Sequence, residues 1–170
     1  YGNALFAVEP NADMLEQLKI TLAPFPNTKI VDGSAEATKL PDGIVDVIIN
    51  AQSLNRFDIE AFKAECRRIG KPNPLVVTLY NDEPPYGNLR YNKSTGALYH
   101  KPIMQKFPNP HFFTRKKWLS YFSSMEGVPR EFDSGYKAYT AKLNERFDRD
   151  SKDGLLRLEL VTIVYSERFA

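Results

Sequence analysis

An apolar run of strand length that ends in a carboxylate constrains the fold of this chain most. Residues 5–8 are apolar, Glu9 follows, and Pro10 and Asn11 stand at the start of a helical pattern. The run predicts a buried strand, and asparagine is a common residue at a helix start. Ligands of open α/β sheets bind outside the carboxyl ends of the strands. Glu9 is therefore predicted to face a crevice, where its two oxygens could accept both hydroxyls of a ribose.

The same alternation of strand and helix continues along the first half of the chain. A helical pattern at 12–22 is followed by a short β-branched strand at 28–31 and an apolar strand at 44–49. A second helical pattern lies between Asp58 and Gly70, and residues 75–80 form the next apolar strand. This order predicts right-handed βαβ units in an α/β, Rossmann-like, doubly wound sheet that is mostly parallel.

The second half has a different character. Residues 82–130 are rich in Pro, Tyr and Phe and have weak periodicity, which predicts a lid or substrate-binding insertion within one domain of residues 1–170. Short helices are predicted at 114–121 and 134–147. Residues 155–169 alternate apolar with charged or polar side chains, which predicts one long, partly exposed antiparallel strand.

Composition limits the partners and the compartment. The net charge of +2 is spread among interspersed acidic and basic residues, so neither nucleic acid nor a membrane surface is a predicted partner. Cys66 is the only cysteine, which excludes an internal disulfide and a cysteine-rich zinc site and favours a reducing, cytoplasmic location. No apolar run approaches the roughly 20 residues that span a bilayer. No metal is predicted, and the oligomeric state stays open.

Several segments together resemble a known family. Residues 8–15, 33–36 and 45–58, followed by a helix and the Lys71-Pro72 turn, are similar in order and spacing to the class I S-adenosylmethionine-dependent methyltransferases. The likeness is to the small-molecule, methyltransferase type 11-like members. Residues 113–169 also resemble the C-terminal pattern of the family, so the resemblance covers nearly the whole chain.

The resemblance implies a cofactor, S-adenosylmethionine, and a set of residues that bind it. These residues are Glu9 for the ribose hydroxyls, Pro10 for the adenine face, Ser34 and Ala35 for the adenine edge, and Asn50, Ala51 and Gln52 for the methionine part and the reactive methyl group.

Two departures from the family pattern affect what the resemblance implies. The Gly-rich first loop and its strand have no counterpart, because nothing precedes Tyr1. In the family that strand lies between the strands that end here at Glu9 and Asn50, so the natural protein is expected to start earlier. Asn55 stands where many relatives carry histidine, so a proton-accepting role is not carried over to it.

Methyl transfer from a sulfonium is an in-line displacement that needs mainly orientation and a dry pocket. The arginines could bind an acceptor carboxylate, and the histidines could act as a base on a hydroxyl or protonated amine. Each of these residues also has a plainer interpretation as a packed or solvated side chain. The candidate catalytic residues are His100 and His111, and the candidate substrate-binding residues are Asn55, Phe57, Arg90, Arg115 and Trp118.

Two other functions fit parts of the pattern. An acidic residue after the second strand of an NAD-dependent oxidoreductase binds the same ribose. A truncated, non-catalytic nucleotide-binding scaffold would also lack the Gly-rich loop. The Ser34-Ala35-Glu36 loop together with the loop at Asn50 favours a methyltransferase acting on a small molecule.

Overall fold

The structure is a computed structural model that describes residues 2–82, 89–125 and 127–170, without the side chains of residues 89–92. The chain divides into two compact units. The first unit comprises Tyr1–Tyr80, Asn88–Gln105 and Ile163–Ala170, and the second comprises Asn81–Gly87 and Lys106–Thr162. The predicted insertion at 82–130 overlaps the second unit, which also takes in residues 131–162.

The elements follow the predicted order in the first half and are more numerous in the second. In chain order they are β1 (Leu5–Glu9), α1 (Ala12–Leu22), β2 (Thr28–Asp32), β3 (Val45–Ala51), a short 3-10 helix (Leu54–Arg56), α2 (Ile59–Ile69), β4 (Gly70–Asp82), α3 (Leu89–Leu98), β5 (Ile103–Pro108), β6 (His111–Phe113), α4 (Arg115–Ser123), α5 (Tyr136–Asp150), β7 (Leu156–Leu158) and β8 (Val161–Arg168).

The first βαβ unit has the predicted order of elements, but the prediction of a buried strand at β1 is wrong. β1 is exposed or half-buried, because it pairs only with β2 in a two-stranded sheet. The side chain of Asn11 accepts a hydrogen bond from the Met14 backbone N–H at 3.0 Å and so caps α1. The helix returns the chain so that β1 and β2 pair in parallel. Their register places Glu9 opposite Asp32. The carboxyl ends of both strands therefore lie side by side.

The second βαβ unit carries the better-packed core. The Asp58 side chain caps α2 by accepting from the Ala61 N–H at 3.0 Å. The helix buries Phe62, Cys66 and Ile69, the face that its sequence periodicity predicts. β3 and β4 pair in parallel. The first core contains Leu54, Phe62, Cys66, Val76, Tyr80, Leu98, Tyr99 and Phe169.

The C-terminal segment forms two strands where the sequence predicts one. The Leu160 N–H donates to the Leu158 carbonyl at 3.0 Å, and this turn separates β7 from β8. The prediction of one continuous strand over 155–169 is wrong because each half has its own partner. β7 pairs antiparallel with β6, whereas β8 joins the sheet of order β3-β4-β8-β5.

β8 runs against β4, which confirms a mostly parallel α/β fold with an antiparallel C-terminal strand. The Phe169 N–H, just after β8, donates at 3.0 Å to the carbonyl of Pro74 in the first half of β4. Earlier in β8, the Tyr165 ring stacks on that of Tyr80 near the end of β4. The two strands therefore have opposite directions.

The second unit has a separate core. Trp118 is fully buried, and it packs with residues from β6, α5 and β7. The indole N–H of Trp118 donates to the Leu143 carbonyl at 2.8 Å, which pins α4 to α5. The second core contains Phe113, Trp118, Leu143, Phe147, Leu156, Leu158 and Leu160.

Candidate functional site

The carboxylate at the end of β1 is held by its own helix start. One Glu9 oxygen, Oε1, accepts the backbone N–H of Asn11 at 3.0 Å. The Glu9 side chain is half-buried and Pro10 is exposed. The hydrogen bond restricts the carboxylate to the carboxyl end of the β1–β2 pair, the position that the sequence predicts for it.

The loop after β2 is a tight turn that only glycine allows at its first position. Ser34 and Ala37 exchange two backbone hydrogen bonds of 3.2 Å. A Cβ on Gly33 would lie 2.9 Å from the Ala37 carbonyl oxygen and 3.0 Å from that of Thr38. Ala35, at the tip of the turn, packs against the first core. The predicted adenine-edge residues therefore stand on a rigid turn.

Glu36 ties this turn to the second βαβ unit. Its Oε1 atom accepts the backbone N–H of Asp58, the residue that caps α2, at 3.1 Å. A carboxylate is favoured at a helix N-terminus because the first N–H groups have no partner within the helix. No role for the Glu36 side chain was predicted from the sequence. Glu36 lies 22 residues before the N-cap that it contacts, so the sequence contains no local signal of this contact.

Asn50, near the carboxyl end of β3, is a buried amide with one unsatisfied atom. Its side chain is only 7% exposed. Its Nδ2 atom donates to the Val77 carbonyl at 3.3 Å and to the Thr78 hydroxyl at 2.9 Å. Its oxygen, Oδ1, is buried and has no hydrogen-bond partner among the described residues. A buried polar atom without a partner calls for an explanation in a folded protein.

The residue after β3 has an unusual backbone conformation. Gln52 has a φ angle of +58°, in the left-handed region that side chains other than glycine rarely adopt. Its backbone N–H donates to the Leu79 carbonyl at 3.1 Å, which holds it beside β4. Such strain costs about 1–3 kcal/mol and tends to lie at functional sites. Ala51 and Gln52 are both exposed at this strand end.

The structure does not bring His100 together with these strand ends. Its backbone N–H donates at 2.8 Å to Glu167, close to the end of β8. Phe169, two residues further on, bonds to Pro74 in the first half of β4. His100 therefore lies toward the amino end of β4, whereas Asn50 pairs near its carboxyl end.

His100 instead borders an open depression of about 300 Å³ in the first unit. None of the predicted cofactor-binding residues contributes to its lining. The residues that line it are Thr95, Gly96, Tyr99, His100, Pro102 and Tyr165.

Arg115 in α4, which the sequence predicts as a substrate-binding residue, already has partners within the protein. Arg115 donates to the Asn144 side chain at 3.1 Å and forms an ion pair with Asp148. Its guanidinium also lies 4.5 Å from the centre of the Phe147 ring. These three partners all belong to α5, so the structure gives Arg115 a role in joining α4 to α5.

Trp118 has a packing role where the sequence predicts a substrate contact. It lies inside the second core and is not accessible to a ligand. His111 belongs to the same unit, where it stands opposite Leu158 in the β6–β7 pair and is half-buried. The aromatic sequence pattern signals burial here, because a large apolar ring in a helix more often packs than binds.

The remaining substrate candidates differ in their surroundings. Phe57 packs against the first core, with its ring centre 4.9 Å from that of Phe62. Asn55, in the 3-10 helix, is half-buried, and its Oδ1 atom has no hydrogen-bond partner among the described residues. The side chain of Arg90 lies outside the part of the chain that the structure describes.

The site is thus a set of loops at the carboxyl ends of parallel strands in an α/β fold, with an acidic residue, a tight glycine turn and an orphaned amide. This arrangement is the one that nucleotide-cofactor enzymes of doubly wound folds use. The arrangement therefore favours a nucleotide cofactor at these strand ends.

The first 78 residues of the chain are similar to a known family of domains. Residues 1–78 match the family model described as methyltransferase domain. No curated protein matches the sequence.

Solved structures with the same fold cover almost the whole chain. A candidate type II methyltransferase from Anaeromyxobacter dehalogenans is 18% identical, with a TM-score of 0.68 over 97% of this chain and 80% of that one. A candidate methyltransferase from Bacillus halodurans is 12% identical, with a TM-score of 0.61 over 98% and 83%. The YcgJ protein from Bacillus subtilis is 14% identical, with a TM-score of 0.58 over 98% and 83%.

The domain match and the fold confirm the resemblance seen in the sequence. Residues 1–78 are similar to a methyltransferase domain, and the chain has the same fold as the solved candidate methyltransferases. Across the described ranges, no helix has the length and apolar character needed to cross a membrane.

Proposed function

We propose that the loops after β1, β2 and β3 bind S-adenosylmethionine and that the protein transfers its methyl group to a small-molecule acceptor. The observation that carries this proposal is the connection between the three loops in the first unit. Glu9 lies opposite Asp32, the turn at Gly33 follows directly, and Glu36 joins that turn to Asp58.

The residues present suit the cofactor. The Glu9 carboxylate is the chemistry that recognises paired ribose hydroxyls, and the rigid turn at Ser34 and Ala35 offers backbone groups to an adenine edge. The unpartnered Asn50 oxygen offers an acceptor for a third group. Pro10, Ala51 and Gln52 complete the proposed cofactor set at the same strand ends.

S-adenosylmethionine supplies an activated methyl group on a positively charged sulfur. The protein's own contribution is to orient the acceptor and exclude water, because an in-line displacement needs no covalent enzyme intermediate. We propose that residues 82–130 select the acceptor, as their sequence predicts, and His111 in β6 stays the candidate base. His100 is not retained, because it lies toward the amino end of β4.

A small-molecule acceptor is proposed because the chain lacks the clustered basic charge that nucleic acid requires. A cytoplasmic location stays a prediction from the single cysteine, which favours a reducing compartment.

Calorimetric titration tests the proposal with two probes, S-adenosylhomocysteine and NAD. We expect saturable binding of S-adenosylhomocysteine and none of NAD. Binding of NAD alone would overturn the proposal in favour of an oxidoreductase. Binding of neither would favour a non-catalytic scaffold. Transfer of label from methyl-tritiated S-adenosylmethionine to a small-molecule extract, but not to added nucleic acid, would support the acceptor class.

A further inference from the structure

The orientation of the Asn50 amide is determined by its surroundings. The Val77 carbonyl can only accept a hydrogen bond, so the amide atom that faces it must be nitrogen. The second Nδ2 hydrogen goes to the Thr78 hydroxyl. Both amide hydrogens are therefore used within the sheet, and the oxygen is the arm left without a partner.

Two buried hydroxyl groups extend this arrangement. The Thr78 hydroxyl lies 2.7 Å from the Tyr99 hydroxyl, which in turn lies 3.5 Å from the Tyr165 carbonyl. A carbonyl can only accept, so the hydrogens run in one direction, from Asn50 to Thr78 to Tyr99 to Tyr165. The hydrogen bonds in such a series polarise and strengthen one another.

Most of this series of hydrogen-bonding groups is buried. Thr78 is fully buried and Tyr99 is 6% exposed, although Tyr99 and Tyr165 also border the open depression. Burial raises the pKa of the Tyr99 phenol above its ordinary value, so the phenol keeps its proton at neutral pH.

We propose that Thr78 and Tyr99 are positioning residues that hold the Asn50 amide oxygen as a hydrogen-bond acceptor for the amino group of bound S-adenosylmethionine. This inference rests on the proposed function. An amino group fits because it supplies the missing N–H donor and, when protonated, makes a stronger bond to a buried acceptor than a neutral donor does.

The cofactor is a better source of that donor than the acceptor molecule. Asn50 belongs to the first unit, together with Glu9 and Ala35, the residues proposed for the ribose and the adenine edge. The orphaned oxygen also has a cost of about 1–3 kcal/mol in the free protein, which a bound donor would relieve.

The experiment compares two ligands that share the adenosine group. S-adenosylhomocysteine carries the amino-acid part, and 5′-methylthioadenosine lacks it. Calorimetry on the full chain should show that Thr78→Val weakens S-adenosylhomocysteine binding about 5- to 20-fold while it changes 5′-methylthioadenosine binding less than about twofold. Thr78→Ser, which keeps the hydroxyl, should restore both affinities. Tyr99→Phe should weaken only S-adenosylhomocysteine, and by less than Thr78→Val.

A matched control is Thr38→Val, because Thr38 is another buried threonine of the same unit whose hydroxyl bonds elsewhere, to Glu65. It should lower stability without changing the ratio of the two affinities. An unchanged ratio in Thr78→Val, or an equal loss for both ligands, would overturn the inference. If the unaltered protein binds neither ligand, the proposed function itself fails, which is a different outcome.

Discussion

The guanidinium of Arg68 holds both carboxylate oxygens of Glu65, with Nε 2.8 Å from Oε2 and Nη2 2.7 Å from Oε1. Thr38 adds its backbone N–H at 2.8 Å and its hydroxyl at 2.5 Å, both to Oε1. The Arg68 hydrogen bond is the main cause that lowers the pKa of Glu65 from 4.5 to about 2, ahead of the bonds from Thr38 and against the effect of burial. This cluster joins α2 to the segment that follows the Gly33 turn.

Stability is expected to fall in acid through Glu65. Because the folded-state pKa lies below the ordinary value, the unfolded chain binds more protons between about pH 4.5 and 2. The stabilisation is complete above pH 4.5 and is lost as the pH falls toward 2. Urea unfolding at pH 7, 4 and 3 should show Glu65→Gln less stable than the unaltered protein by roughly 2–3 kcal/mol at pH 7 and by progressively less in acid. A constant difference at all pH values would contradict this.

Gly33 is expected to tolerate no side chain. Gly33→Ala places a methyl group 2.9 Å from a backbone carbonyl, which has no flexible end that can move aside. We expect a loss of about 1–3 kcal/mol in urea unfolding, together with weaker S-adenosylhomocysteine binding. Gly96→Ala is the control, because its Cβ meets nothing within 4 Å and alanine favours a helix by about 0.5–1 kcal/mol. Equal effects of the two substitutions would contradict the close approach at Gly33.

The single tryptophan should report on the second unit. Trp118 is the only tryptophan in the sequence and is fully buried, so its emission should shift to longer wavelength when its core unfolds. Leu158→Ala, which truncates a side chain in the second core, should reduce the free energy of unfolding seen by this emission by about 2–4 kcal/mol. Phe132→Ala should leave it unchanged, because the Phe132 side chain is 97% exposed. A large effect at Phe132 would mean that the second core is assigned incorrectly.

Glu36 is expected to matter more for binding than for stability. Glu36→Ala removes the hydrogen bond to the Asp58 N–H, which releases the turn that carries Ser34 and Ala35. S-adenosylhomocysteine binding should weaken about 3- to 10-fold, since a bond of this kind contributes about 0.5–1.5 kcal/mol. Glu60→Ala is the matched control, because Glu60 lies in the first turn of α2 and its exposed side chain pairs with Lys63. The result would count against the role of Glu36 if both variants bound equally.

Glu9 should contribute directly to cofactor affinity. Glu9→Ala leaves the bound ribose hydroxyls without their acceptor, so binding of S-adenosylhomocysteine should weaken by about 1–3 kcal/mol. Glu16→Ala serves as the control because Glu16 lies on the exposed surface of α1, where it pairs with Lys19. Calorimetry compares the affinities of the two variants for S-adenosylhomocysteine. An unchanged affinity in Glu9→Ala would show that Glu9 does not bind the ribose.

Local chemistry was enough to predict the elements of the two βαβ units within residues 5–80. Asn11 and Asp58 stand where helices begin, and each caps its helix as an N-cap asparagine or aspartate does. The spacing of Phe62, Cys66 and Ile69 marked the buried face of α2. Each of these features depends on residues three or four positions apart in the chain, so it can be recognised in the sequence alone.

The sequence by itself determined the α/β class, the order of strands and loops, and the methyltransferase resemblance, because each depends on short-range patterns of apolar, capping and turn residues. Tertiary structure alone decided which side chains are available to a ligand. Trp118 and Arg115 were predicted as substrate-binding residues but contact α5. No role was predicted for the hydroxyls of Thr78 and Tyr99, which form a series of hydrogen bonds that begins at Asn50. The physical reason is that a hydrogen-bond partner or a covering ring comes from residues distant in the chain, and no local pattern specifies it.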